Sequence, residues 1–215
     1  MSELPNLGDR MFVPINTDMW SGMEFHRFIG FQRAYVVGFK HAADSLIESV
    51  IQEGGRTLDE RVIPACHLYR HYVELHLKYI LCEGRTAGHV AFKNEDIQNH
   101  SVYHLWQATK RLMLLAFPEE PADRLAATEL LLKDVYDCDP SGQESRYHET
   151  RGGKASLSQL PNLYDLPNQL RMMAKLEKYF EEWVLVFQCQ FEDEDFHSAT
   201  PPLELFPSKE SPEVH

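Results

Sequence analysis

Cysteine is scarce in this chain. Its four cysteines, Cys66, Cys82, Cys138 and Cys189, include no C-x-x-C pair. Three of them fall in apolar helical patterns, where a free cysteine behaves as a small hydrophobe. A reduced, cytoplasmic protein is therefore expected. No apolar run approaches the ~18 to 20 residues of a membrane span, so no membrane association is expected. The first residues, Met1-Ser2-Glu3-Leu4-Pro5-Asn6, carry neither the basic start nor the apolar stretch of a secretory signal. The nucleotide-binding patterns G-x-x-x-x-G-K-[ST] and G-x-G-x-x-G are missing, as are G-x-S-x-G and H-E-x-x-H. Their absence removes support for those nucleotide-binding, hydrolase and metalloprotease mechanisms. Positive charge is also in deficit, with 21 Lys and Arg against 33 Asp and Glu and a net charge of −12. Phosphate contacts drive most nucleic-acid affinity, so this balance counts against a general nucleic-acid binder. The run Phe191-Glu192-Asp193-Glu194-Asp195 supplies four of those negatives, which leaves room for a local basic site.

What remains is an ordinary globular composition, 43% apolar and 25% charged, in 215 residues. That length suffices for one good core. The apolar spacing is helical nearly throughout. A first helix is expected from about Trp20 to the Gly54-Gly55 stop, its core stripe being Phe28, Phe31, Tyr35, Phe39, Ala42, Leu46 and Val50. Gly30 and Gly38 inside it each cost about 1 kcal/mol relative to alanine, and are read as points of close helix packing. A second helix is expected from Asp59 to a Gly84 stop, with Pro64 tolerated in its first turns. A third should run from Asp96 to Phe117 and a fourth from Pro121 to Asp139-Pro140. Ser141 to Pro161 reads as a long ordered loop. Asp165-Leu166-Pro167 opens the last helix, with Leu166, Leu170, Met173, Leu176, Phe180, Trp183 and Phe187 on the helical period. No alternating segment demands a sheet. The expected fold class is all-α, a single helical bundle over 20–191. It would carry a flexible arm over 1–19 and an acidic, proline-rich disordered tail over 192–215. Its core should include Phe31, Tyr35, Leu68, Tyr72, Leu75, Trp106, Leu130, Leu176 and Trp183.

The densest chemistry lies in the second helix, at Cys66-His67-Leu68-Tyr69-Arg70-His71-Tyr72-Val73-Glu74-Leu75-His76-Leu77-Lys78. At 100° per residue, His67, His71, Glu74 and Lys78 share one face. Arg70 sits one turn from Glu74, a spacing suited to an ion pair. His76 lies about 120° around the helix from Arg70, so one straight helix cannot set the two side by side. Burial of this aromatic-rich helix would make its polar groups structural, since buried polar groups need internal partners. Exposure would leave histidines able to move protons near neutral pH.

Two further patterns bear on ligands. His67-x3-His71 and His100-x3-His104 have a spacing able to hold one metal ion, yet such pairs arise by chance among eleven histidines. The Glu-x-x-His motif of di-metal bundles occurs only as Glu194 to His197, so no metal and no cofactor is expected. The loop Asp139 to Lys154 gathers Arg146, His148, Arg151 and Lys154 around Gly152-Gly153. That arrangement suits a phosphate held by converging backbone N–H groups, or simply a solvated loop pinned by Tyr147.

Val62 to Lys78 resembles the "xLYRHxLELxLK" helix of bacterial proteins in the HEPN (higher eukaryote and prokaryote nucleotide-binding) superfamily. His104-Leu105-Trp106 and Asp139-Pro140-Ser141 with Ser145-Arg146-Tyr147 are similar in order and spacing, so the resemblance spans about residues 24 to 186. It implies a HEPN-like, mostly up-and-down bundle of four to five helices, often a homodimer. Many such proteins are metal-independent endoribonucleases of toxin–antitoxin or phage-defence systems, with an antitoxin or nucleotidyltransferase partner. The resemblance puts Arg70, His71 and His76 in the catalytic motif, facing their copies across a dimer cleft. There His76 would transfer protons during 2′-hydroxyl attack on RNA, and Arg70 would stabilise the phosphorane. Arg146, His148, Arg151 and Lys154 would bind substrate. Other members of the superfamily are inert modules that bind a nucleotide, RNA or a protein partner.

Overall fold

The computed structural model describes residues 31–54, 59–149, 152–161 and 165–198, with the backbone alone at Phe31, Asp59 and 191–198. Among these residues six α-helices follow in order: α1 Phe31–Gln52, α2 Asp59–Thr86, α3 Asn94–Gln98, α4 Val102–Ala116, α5 Ala122–Cys138 and α6 Leu166–Ser198. A 3-10 turn, Glu144–Arg146, interrupts the connection before α6. Among the described residues no strand forms, and one isolated bridge joins Glu149 to Ala155. The all-α expectation holds. The expected arm, the first-helix start with Phe28 and Gly30, the core place of Phe31, the candidate Arg151 and the tail beyond Ser198 lie outside the described residues.

The second helix is the central element, packing most extensively against α6 and α4. Its Val73, Leu77, Ile80 and Leu81 are fully buried with Trp106 of α4 and Phe180 and Phe187 of α6. Each such side chain contributes on the order of 1.5–3 kcal/mol by leaving water. Gly84 is no helix stop, because α2 continues to Thr86. A Cβ there would lie 2.5 Å from Leu112 Cδ2, so glycine permits the close approach of α2 and α4. Gly38, read as such a contact, has nothing within 4 Å of its would-be Cβ.

Four expectations about faces and ends fail. The buried face of α1 is Val36, Lys40, Ala43, Ile47 and Val50, leaving Tyr35 46% exposed. It is turned by about one residue from the apolar stripe because Lys40 goes inside, paired with Asp44 at 2.6 Å and Glu177 at 3.3 Å. Leu130 is 66% exposed, since α5 turns Leu125, Thr128 and Leu132 inward. The expected third helix is broken between Gln98 and Val102. There Asn99 Oδ1 accepts from Ser101 N at 2.8 Å, and the Ser101 side chain caps α4 at His104 N. Short polar side chains compete with the helix for these backbone groups. The last helix passes Phe191 and carries the acidic run to Ser198.

Candidate functional site

Arg70 is 5% exposed and all its nitrogens are engaged. Nη1 donates to Glu74 Oε2 at 2.7 Å, Nη2 to the His100 carbonyl at 2.5 Å and Nε to the Asp139 carbonyl at 3.2 Å. Gly142, at φ +70°, covers the guanidinium so closely that a Cβ would lie 2.9 Å from Cζ. Glu74 also accepts from Lys78 at 2.9 Å and contacts His100 Nδ1 at 2.7 Å. Burial pushes the Glu74 carboxyl up, but the hydrogen bonds from Lys78, Arg70 and His100 outweigh it and hold it below its ordinary value. The 139–145 turn is fixed by Asp139, whose carboxylate accepts from Glu144 N, Ser145 N and Ser145 Oγ. Ser145 Oγ spends its proton on Asp139, so it accepts from His67 Nδ1 at 3.0 Å. One polar network thus ties α2 to the 99–101 and 139–145 segments.

His76 belongs to a different seam. It is fully buried, with Nδ1 3.0 Å from the Tyr72 hydroxyl and its ring against Tyr72, Tyr79 and Phe180. Among the described residues Nε2 makes no hydrogen bond, and the nearest carboxylate, Glu181, stands 3.9 Å away. Burial, with Arg33 adding to it, pushes its pKa down to about 3, so the imidazole is neutral at pH 7. Arg70 and His76 therefore do not meet within the chain. His71 lies half-buried on the side of His67, its ring edge-on to Phe39 at 4.5 Å. Burial lowers the pKa of both His67 and His71.

The loop candidates separate. Arg146 is exposed at the end of the 3-10 turn, 5.7 Å over the Tyr147 ring, and its charge adds to the lowering of His67. His148 and Lys154 are exposed, and Ser156 N donates to the His148 carbonyl at 3.0 Å. Among the described residues no group of three or more His, Cys, Asp or Glu could hold a metal ion. His100 precedes α4, so it shares no helix face with His104. The former turns to Glu74 and the latter to Asp96, at 2.9 Å.

Two features escaped the sequence reading. One is the Lys40, Asp44, Glu177 cluster, joined by the Tyr69 hydroxyl donating to Asp44 at 2.7 Å. Its only sequence signal is the four-residue spacing of Lys40 and Asp44 on a helix. The other is a half-open cavity of about 510 Å³ lined by residues of α2, α5 and α6, where α5 touches α6 only sparsely. A cavity between separate helices leaves no local pattern. Fold and site together define a helical bundle with a polar-riveted central helix. Against known proteins, the chain matches no family model, no curated protein and no solved structure. Its likeness to HEPN proteins rests on the residue pattern alone.

Proposed function

We propose that this protein is a catalytically inert helical module that binds a partner, with Arg70 and His76 serving the fold. The observation that carries this is the burial of both residues, at 5% and 0% exposure, among separate sets of partners. A ribonuclease needs a guanidinium free to meet a phosphate and an imidazole that gains and loses protons near the working pH. Arg70 has its donors committed to Glu74, His100 and Asp139, and His76 is held neutral in an aromatic wall. The reading needs no second subunit, because neither residue awaits a facing copy. The net charge of −12 further disfavours RNA as the partner.

The test is to incubate the purified chain with single-stranded RNA, and to melt Arg70→Ala and His76→Gln variants beside it. Expected are no cleavage above the buffer blank and a fall in Tm for Arg70→Ala. RNA cleavage by the native chain, resistant to EDTA and lost in His76→Gln at unchanged Tm, would restore the endoribonuclease reading.

A further inference from the structure

The cavity between α5 and α6 exists because α5 turns its inward residues toward α4 and touches α6 only sparsely. Its floor is α2. Its walls include Leu131, Val135, Leu160, Met172, Met173 and Leu176. A volume of about 510 Å³ lies within the roughly 300–1,000 Å³ common for small-molecule sites. The two methionines are flexible and polarizable, so this wall can adapt to the shape of an apolar body.

Charge decides what kind of molecule fits. Asp134, Asp137, Asp139 and Asp165 all line the cavity, while Arg70 is the one cationic lining residue among the described residues. That guanidinium is already committed, as described above. Asp139 is consumed by Glu144 and Ser145, Asp137 pairs with Lys133, and Asp165 accepts from Asn168 N at 3.0 Å. Asp134 is exposed at the cavity edge and makes no hydrogen bond or ion pair among the described residues. An anion such as a nucleotide phosphate would meet carboxylates with no available cation. An amine would set its ammonium at Asp134 and its apolar body against Val135 and Leu176.

We propose that the α2–α5–α6 cavity binds an amphipathic amine, an alkyl or aryl body bearing one protonated nitrogen, with Asp134 as counter-ion. The proposal rests on the binding-module reading but fails separately, since it is measured by ligand binding and not by RNA cleavage or Arg70 melting. Titration calorimetry with tryptamine and indole-3-acetate compares one aromatic body under opposite charge, and methylamine supplies the charge without the body. Tryptamine should bind at least tenfold tighter than either control. Asp134→Asn, at an exposed position that does not threaten folding, should weaken tryptamine about tenfold and leave indole-3-acetate unchanged. Val135→Trp should block the apolar wall and abolish tryptamine binding at unchanged helical circular dichroism. Equal affinity for the amine and the acid, no binding of tryptamine, methylamine binding as tightly, or indifference to Asp134→Asn would each overturn the proposal. The Asp134→Asn result stands alone if Val135→Trp does not fold.

Discussion

At the scale of single residues, the strongest polar signal in the sequence turns out to be built into the interior. Arg70 joins three chain segments through one guanidinium, a geometry that its planar fork permits and a lysine cannot reproduce. Removing one partner of a buried pair costs about 3–5 kcal/mol where the other charge is left alone. Glu74 keeps Lys78 and His100, so about 3 kcal/mol, the low end, applies here. Arg70→Ala is therefore expected to lower stability by that order in urea denaturation. Arg70→Lys should recover only a minor part, and full recovery by lysine would contradict the three-segment role. His76 gives a pH signature. Its folded pKa of about 3 lies below the ordinary value of about 6.5. Between those values the unfolded chain binds the extra proton, so stability rises with pH. The contribution is complete above about pH 6.5 and falls by about 1.4 kcal/mol per unit as pH drops toward 3. The groups facing His76 are Glu181 and Arg33, with Tyr72 and Tyr79 beside them. His76→Phe removes this linkage, so its stability should fall less steeply between about pH 6.5 and 4. Equal slopes for the native chain and the variant would remove His76 from the account of acid stability.

At the scale of elements, the glycines separate cleanly. Gly142 combines φ +70° with the Arg70 guanidinium against its missing Cβ. Gly142→Ala should cost more than the ~1–2 kcal/mol of a left-handed non-glycine residue, because Arg70 must also shift. Gly38 lies inside α1 with nothing near its would-be Cβ, so Gly38→Ala should stabilise by roughly 0.5–1 kcal/mol. Thermal melts of the two variants should move in opposite directions, and a shared direction would refute this assignment. At the start of α4, Ser101 accepts from His104 N. Ser101→Ala is expected to cost about 0.5–2 kcal/mol as a lost N-cap, measurable by the same melts.

At the scale of the whole molecule, two polar seams flank the central helix. The Lys40, Asp44, Glu177 and Tyr69 contacts tie α1, α2 and α6. The Arg70 and Asp139 contacts tie α2 to the 99–101 and 139–145 segments. Glu74 and Asp139 are both held below the ordinary carboxylate value, so their contributions are present above it and lost as pH falls through their folded values. This has the same sign as the His76 effect. The molecule as a whole should therefore unfold in acid, and circular dichroism from pH 7 downward should show helix loss before the carboxylates are fully protonated.

The sequence by itself determined the elements: the helical period, the Arg70–Glu74 pairing and the place of the polar turn at Asp139 all follow from local spacing. The same helical steps placed Trp106, Leu176 and Trp183 inside, as they are, but also Tyr35 and Leu130, which the packing leaves exposed. The sequence left open whether Arg70 and His76 face water, since the same spacing serves a cleft or a core. Only the tertiary structure decided that, by bringing residues 30 and 69 positions away, His100 and Asp139, onto the guanidinium. It likewise turned α1 toward Lys40, whose burial depends on Glu177 from a distant helix. The cavity was decided the same way, by the sparse contact of α5 with α6, a relation between elements that no residue spacing encodes.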